Sequence, residues 1–201
     1  MNETRPTVTA DDTRNSIIEA AEARFEHFGY RKTTMAEIAG DLGMSAANLY
    51  RYFENKEDIV AACASRCMTE HVAMLREVVR KQDTSAADRL EEFILEIVRY
   101  THDQTQDKPR INELVETITS ERPELVRQKI EAMESMLAEI LAHGNATGEF
   151  DIEDVVKTAK TVHATLVLFD VPIFVGLYPQ EEYERTARAV SHLLVRGLAK
   201  H

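Results

Sequence analysis

Residues 33–58 read TTMAEIAGDLGMSAANLYRYFENKED, and this stretch contains two short helix signatures joined by a tight turn. Thr34 and Glu37 have the spacing of a capping box, in which each side chain bonds a free backbone N–H at the start of a helix. Gly43 suits the left-handed residue that follows a helix, and Ser45 is a favoured N-cap for the next one. The stretch therefore predicts two helices in immediate succession.

The two signatures together predict a helix-turn-helix at about 34–53, whose second helix runs from Ala46 to Phe53. Helices this short bury little surface alone, so we expect the second one to be exposed and to bind a partner. Such a unit is typical of proteins that read duplex DNA. Elsewhere the apolar periodicity predicts longer helices, about nine in all and no strand, which makes the chain all-α.

Composition limits what the chain can be. With 201 residues, 44% hydrophobic and 29% charged, it can bury the core of one or two domains. No signal peptide and no run of 18 apolar residues is evident, so we expect a cytoplasmic protein outside the membrane. The net charge of −11 argues against a protein that coats nucleic acid indiscriminately. Any DNA contact must come from a local basic cluster, formed by Arg31, Lys32, Arg51 and Lys56.

The chain divides into three predicted segments. We expect a flexible tail at 1–10, the helix-turn-helix domain at 11–71 and a helical body at 72–201. A long fourth helix joins the last two segments, and its apolar stripe runs from Ile59 to Val79. This stripe predicts a helix that moves as a rigid unit.

Prolines and glycines punctuate the helical body. Pro109 suits the first turn of one helix, and Pro123 restarts another that we expect to stop at 143–144. A further helix is expected at 151–177, where Pro172 should kink or end it. Kinks of this kind can border cavities.

The first 60 residues resemble the tetracycline-repressor (TetR) family of bacterial transcriptional regulators. The matching features are AEARFEHFG at 21–29, Thr33-Thr34, Ile38-Ala39, Gly43-Met44-Ser45, Leu49-Tyr50, Phe53 and Asn55-Lys56-Glu57. The resemblance implies a three-helix DNA-binding domain followed by a variable ligand-binding domain, and a homodimer formed mainly by the last two helices. It implies a repressor that leaves a pseudo-palindromic operator when a small effector binds. At Ala46-Ala47 the chain departs from the family, which often has a basic residue and a glycine there.

The predicted DNA contacts lie just before the helix-turn-helix, on its second helix and at the start of the long fourth helix. Asn48 suits adenine, and the neighbouring alanines can pack on a thymine methyl. Tyr50 and Tyr52 either donate to phosphate or pack within the domain. Lys56 either clamps a phosphate together with a helix N-terminus or is solvated. The full set is Arg31, Lys32, Thr33, Thr34, Ser45, Ala46, Ala47, Asn48, Tyr50, Arg51, Tyr52 and Lys56.

The central helices supply candidates for an effector pocket, although each apolar candidate is also a normal core residue at helical spacing. Met-rich walls adapt to varied shapes, so the expected effector is small and apolar. His163 and Asp170 share a helix face, where they anchor a ligand or pair with another helix at the dimer seam. The candidates are Phe93, Ile97, Tyr100, Ile111, Leu114, Ile118, Met133, Met136, Leu137, Ile140, His163, Leu166, Phe169 and Asp170.

The dimer interface is expected on the last two helices, at 151–177 and 180–199, each paired with its symmetry mate. The candidate contacts are Val162, Leu166, Phe169, Val190, Leu193 and Leu194.

Two alternatives remain beside a ligand-responsive regulator. Cys63, Cys67 and His71 line one face of helix four, which suits either a thiol or metal sensor or plain core packing, and we favour packing. A helical adaptor that binds protein is the other alternative, but it leaves the Tyr50 and Lys56 surface unexplained. The sequence has no Glu-x-x-His pair, Gly-x-Ser-x-Gly elbow, phosphate loop or His-Glu-x-x-His motif. We therefore predict no catalytic residue, cofactor or metal.

Overall fold

A computed structural model describes residues 9–106, 108 and 110–200 of the chain. Pro109 and residues 1–8 of the predicted tail lie outside this part. The described residues form ten α-helices and one short 3₁₀ turn, without a strand, which confirms the all-α prediction. The helices are α1 (Ala10–Phe28), α2 (Met35–Asp41), α3 (Ala46–Leu49), α4 (Lys56–Val79), α5 (Ala86–Thr105), α6 (Ile111–Glu121), α7 (Pro123–Thr147), α8 (Val155–Thr165), α9 (Val167–Asp170) and α10 (Gln180–Leu198), and the 3₁₀ turn is Pro172–Phe174.

Side-chain caps start the helices of the N-terminal domain. The Thr34 hydroxyl accepts from the Glu37 N–H at 3.3 Å, and the Thr34 N–H donates to Glu37 Oε2 at 2.8 Å, which confirms the predicted capping box. Thr9 forms a second box with Asp12 and caps α1. Thr9 and Ala10 therefore belong to the first helix, whereas the sequence assigned them to a flexible tail.

Two helix ends differ from the prediction. α3 is only four residues long, and it continues to Phe53 as tight turns in which Tyr52 N–H donates to the Leu49 carbonyl. α7 runs on to Thr147 and ends at Gly148, a left-handed residue with φ of 78°. Gly144 lies inside α7, where a methyl group would come within 2.1 Å of the Phe150 ring. Its glycine therefore permits close packing and does not end the helix.

The helix predicted at 151–177 is divided into α8, α9 and the 3₁₀ turn. Asp154 caps α8 by accepting from the Lys157 N–H at 2.9 Å. The α-helix breaks after Thr165, and Pro172 begins the 3₁₀ turn, as its missing N–H and fixed φ favour.

Two hydrophobic cores form in the chain. The N-terminal core is built from α1–α3 and the first half of α4, and the second core from the end of α4, α5, α7, α8, α9 and α10. α6 contributes Ile118, which is 4% exposed, to the N-terminal core. α6 also packs on α7 and on the 3₁₀ turn, so it lies where the predicted body at 72–201 meets the N-terminal domain.

No helix among the described residues is long and apolar enough to cross a membrane.

Candidate DNA-binding surface and effector cavity

One side of the short helix α3 packs in the N-terminal core, and its other side faces outward. Leu49 is fully buried and Phe53 is 3% exposed, so both anchor the segment in the N-terminal core. On the opposite side Tyr50 is 53% exposed and Arg51 and Ala47 are also exposed. This arrangement leaves hydroxyl and guanidinium donors available to an acidic polymer.

The two predicted hydroxyl contacts at helix starts are exposed, but the neighbouring threonine is not. Ser45 accepts from the Asn48 N–H at 3.2 Å, and Thr34 caps α2. Thr33 is 1% exposed, and its hydroxyl donates to the Gly29 carbonyl at 2.9 Å. Thr33 is therefore a packing residue that braces the turn before α2, and its hydroxyl is not available to DNA.

Lys56 joins α4 to the turn between α1 and α2. Its ammonium donates to the carbonyls of Tyr30 at 2.7 Å and Thr33 at 2.9 Å, and it lies 4.2 Å from the centre of the Tyr30 ring. Partial burial lowers the pKa of Lys56. Two of its three N–H groups bond within the fold, so Lys56 is not a solvated surface side chain, and its contact with phosphate stays a prediction.

The remaining predicted DNA contacts flank this turn and α3. Arg31 and Lys32 are exposed, and Arg31 Nη2 lies 3.0 Å from Glu116 Oε2 on α6. Asn48 is half-buried at the edge of α3 beside Ala46. Tyr52 is also half-buried and packs against the N-terminal core, as its packing interpretation required.

A cavity of about 320 Å³ lies between α5, the start of α6, the 3₁₀ turn and the start of α10. Ile111 and Phe169 are the two predicted pocket residues that line it. Pro172 also lines it, in agreement with the expectation that its kink borders a cavity. The sequence missed the other lining residues, which are Val98, His102, Thr105, Gln106, Lys108, Asn112, Val175, Gly176, Tyr178, Gln180 and Tyr183.

The other apolar pocket candidates fill the two cores instead. They are packed against neighbouring helices because the same apolar periodicity serves both a cavity wall and a solid core. Ile118 and Leu114 pack in the N-terminal core. Fully or nearly fully buried in the second core are Phe93, Ile97, Met133, Met136, Leu137, Ile140 and Leu166.

His163 and Asp170 pair with α7 of the same protomer. Asp170 Oδ1 lies 2.6 Å from Lys129 Nζ, and His163 Nδ1 lies 3.9 Å from Glu134 Oε1. Neither residue lines the cavity described above. Of the two predicted roles, pairing with another helix is the one observed, and it occurs inside the protomer.

Three of the predicted dimer contacts are interior residues. Val162, Leu166 and Phe169 are 2%, 0% and 2% exposed in the single chain. They cannot reach a second copy while this core is intact. Leu193 is 70% exposed, and Val190 and Leu194 are partly buried against the second core.

Cys63, Cys67 and His71 do not converge on one point. Cys63 Sγ faces the Ile18 carbonyl at 3.8 Å, whereas Cys67 Sγ lies 2.9 Å from the Tyr100 hydroxyl. Burial raises the pKa of both thiols, which disfavours the reactive thiolate. In the described part of the chain no three His, Cys, Asp or Glu side chains are grouped to hold a metal. Packing is therefore the better account of this face.

Profiles of two families match most of the chain. Residues 17–63 match "Bacterial regulatory proteins, tetR family", and residues 86–191 match "Tetracyclin repressor-like, C-terminal domain". The chain belongs to the TetR family of DNA-binding transcriptional regulators, as the first 60 residues predicted. This membership also confirms that it is a regulator and not an enzyme.

Individual relatives agree with this assignment. The chain is 27% identical over 154 residues to the HTH-type transcriptional regulator TtgR of Pseudomonas putida, covering 72% of this chain and 73% of TtgR. A TetR-family regulator from Mesorhizobium loti superimposes with a TM-score of 0.77 at 20% identity, covering 96% of this chain and all of that one. SmeT in complex with triclosan superimposes with a TM-score of 0.68 at 19% identity, covering 94% and 92% of the two chains. SmeT is the repressor of the Stenotrophomonas maltophilia multidrug efflux pump SmeDEF.

Proposed function

We propose that the chain is a cytoplasmic, ligand-responsive repressor that binds a pseudo-palindromic operator as a homodimer. The outward side of α3 carries this proposal, because Asn48, Tyr50 and Arg51 stand at a surface whose inner residues are locked in a core. In a two-fold dimer the two α3 helices enter successive major grooves with centres about 34–36 Å apart. Arg31 and Lys32 bind phosphates beside the groove.

The dimer seam in this proposal lies on the outer faces of α8 and α10. In the described part of the chain α8 packs on α7 and α10 packs on α5, and each helix keeps an exposed apolar residue on its outer face. Val156 is 62% exposed and Leu193 is 70% exposed on these helices, and Val167 at the start of α9 is 43% exposed. Exposed apolar residues on these elements favour burial against a second copy.

The effector in this proposal binds in the cavity beside α6. Its volume of about 320 Å³ lies at the small end of the range for ligand sites. Val98, Ile111, Phe169 and Val175 make its walls largely apolar, and His102 supplies a polar group at the edge. A small apolar molecule with one hydrogen-bonding group fits this lining, and the triclosan complex of the structural neighbour SmeT is consistent with such a ligand.

Binding to DNA from the region upstream of its own gene tests the proposal. At low ionic strength the purified dimer should bind such a duplex in preference to unrelated DNA of equal length, and added salt should weaken binding. Arg51→Ala should reduce binding while leaving the fold intact. Triclosan serves as the first effector probe, and a 100-fold loss of affinity requires only about 2.7 kcal/mol of coupling. A protein that ignores every duplex from its own upstream region is not a repressor of this kind.

A further inference from the structure

The cavity beside α6 is apolar at one end and polar at the other. Val98, His102 and Thr105 lie on one face of α5 and line the cavity over about 10 Å, the length of seven residues of helix. At the Val98 end the wall belongs to the second core, together with Phe169 and Tyr183. At the Thr105 end α5 stops and polar side chains follow. A ligand that fills the cavity therefore needs an apolar body and a polar end.

The apolar end has an aromatic wall. The rings of Phe169 and Tyr183 meet edge to face with their centres 6.2 Å apart, and the ring of Tyr178 lies 5.8 Å from that of Tyr183. All three residues line the cavity, in a chain that has only seven Phe, six Tyr and no Trp. The Tyr183 hydroxyl donates to the Phe174 carbonyl, which fixes the orientation of the central ring. Aromatic rings attract one another beyond the area that they bury, so this wall favours an aromatic ligand.

The polar end offers two hydrogen-bond donors. Lys108 Nζ lies 2.9 Å from Glu26 Oε1 and 3.4 Å from Gln104 Oε1, and these two contacts use two of its three N–H groups. His102 Nδ1 is buried without a hydrogen-bond partner among the described residues, and Asp103 Oδ1 lies 3.6 Å from it. A buried polar atom without a partner costs free energy, so an acceptor placed beside His102 stabilises this end.

The charges around the cavity select the sign of the ligand. None of the described residues that line it is Asp or Glu, although the chain has 35 of them. A cationic ligand would meet the ammonium of Lys108 and find no carboxylate in the described wall to pair with. A carboxylate accepts from both donors, and charge-assisted bonds are about twice as strong as neutral ones. Because Glu26 already pairs with Lys108, this end suits one negative charge better than the two of a phosphate ester.

We propose that the effector is an aryl carboxylate, with its rings against the aromatic wall and its carboxylate bonded to His102 and Lys108. This inference rests on the proposed function, since it names the chemical class of the effector for the same cavity. A cavity of about 150 Å³ holds one benzene ring. The volume of about 320 Å³ therefore admits two fused rings that carry one small polar group.

Three matched probes test the sign of the charge. The compounds 2-naphthoate, 2-naphthylmethanol and 2-naphthylmethylammonium share one ring system and differ only in the polar group. In calorimetric titrations of the full-length protein without DNA, the carboxylate should bind about tenfold more tightly than the alcohol, and the ammonium should bind most weakly. Equal affinities, a preference for the ammonium or no binding by any of the three overturns the proposal.

A fourth probe tests the aromatic wall. Decahydro-2-naphthoate keeps the carboxylate and the carbon skeleton of 2-naphthoate but has saturated rings. It should bind about threefold more weakly, because it loses the attraction between aromatic rings. Equal affinity for the two acids overturns the assignment of an aryl group.

Substitutions at the polar end test the contacts of the carboxylate. Lys108→Gln should weaken 2-naphthoate about tenfold and leave 2-naphthylmethanol unchanged, which also shows that the cavity is intact. Glu26→Gln should strengthen 2-naphthoate about threefold, because it releases the ammonium from its partner. Glu19→Gln is the control on the same helix, since its side chain is 70% exposed, and it should change neither affinity. If Lys108→Gln weakens the acid and the alcohol equally, Lys108 does not bind the carboxylate.

A substitution that fills the cavity tests the location of the site. Val175→Trp places bulk in the cavity and should abolish binding of 2-naphthoate, with Val175→Phe as the smaller variant if the tryptophan lowers thermal stability. Ile173→Trp adds the same bulk to the same loop at a side chain that is 54% exposed, and it should keep the affinity of the wild type. Unchanged binding by folded Val175 variants places the site elsewhere and overturns the proposal.

The outcomes separate this proposal from the repressor function. If the protein prefers 2-naphthoate but binds no duplex from its own upstream region, the repressor function fails and the assignment of the ligand class stands. If it binds an operator but prefers the alcohol or the ammonium, the repressor function stands and the assignment of the ligand class fails.

Discussion

Some side chains that we propose for DNA binding also stabilise the fold of the N-terminal domain. Lys56 uses two N–H groups to close the turn Tyr30–Thr33, and Thr34 uses its hydroxyl to start α2. Asn48 and Arg51 make no such structural bond through their side chains among the described contacts. Substituting either residue should therefore change DNA binding without changing the free energy of unfolding.

At this scale we predict that Asn48→Ala relaxes sequence preference at one base position. A bidentate contact to adenine discriminates by about 1–3 kcal/mol, and the alanine loses it. Affinities for a panel of operators with single base changes measure the effect. Lys32→Ala is the control, since an exposed lysine contributes to all sequences alike. If both variants lose the same affinity for every sequence, Asn48 does not recognise a base.

A second residue-scale prediction concerns His71, which stacks on Tyr100 at 4.0 Å with neither ring nitrogen hydrogen-bonded within the described chain. Burial, with a contribution from Lys129, lowers the pKa of His71 to about 3. Between that value and about 6.5 the unfolded chain binds the proton and the folded chain does not, so stability falls as the pH falls. The slope from this group is at most about 1.4 kcal/mol per pH unit.

The variant His71→Phe keeps the stacked ring and removes the titrating group. We expect its free energy of unfolding to decline less than that of the wild type between pH 6.5 and pH 4 in urea titrations. Asp170 Oδ1 lies 3.9 Å from His71 Nδ1, so both proteins are compared in an Asp170→Asn background, where the difference in slope isolates His71. Parallel curves contradict the assignment.

At the scale of elements, five helix starts are set by local side-chain caps, whereas the end of α3 is not. Thr34, Ser45, Asn55, Ser85 and Asp154 all cap helices through bonds within three residues. The early end of α3 and the division of the helix at 151–177 depend on which neighbouring side chains pack on those segments.

The capping box of α2 yields an element-scale prediction. Thr34→Ala removes the hydroxyl that accepts from Glu37 N–H and should cost about 1 kcal/mol of stability. Thr34→Ser keeps an acceptor and should stay within a few tenths of the wild type. Thermal and urea unfolding measure both. A serine variant as unstable as the alanine variant assigns the loss to the methyl group and not to the cap.

At the scale of the whole molecule, α4 contributes to both cores, and α6 joins the first core to the cavity of the body. α4 contributes Ile59 and Val60 to the first core and Leu75 and Val79 to the second. α6 packs in the first core while its start lines the cavity of the body. Among the described residues, α6 lines the cavity and α4 does not.

The molecular-scale prediction concerns assembly. Leu193→Asp places a charge on the outer face of α10. Burying this carboxylate in an apolar interface costs free energy, so the variant should be a monomer at micromolar concentration. Met74→Asp changes a residue of similar size, 44% exposed on α4, and should leave the dimer intact. Sedimentation velocity distinguishes the two. A dimeric Leu193→Asp variant places the interface elsewhere.

The helix-turn-helix and the family were readable from the chain because their determinants are local: a capping box at Thr34, a cap at Ser45 and anchors at Leu49 and Phe53. The cavity and the uncovered faces were decided by tertiary packing. Helical periodicity shows that Leu166 and Phe169 point inward, but the same pattern fits a core, a ligand wall and a subunit seam. Which neighbour covers an apolar face depends on helices far apart in the chain, and only their packing in three dimensions brings them together.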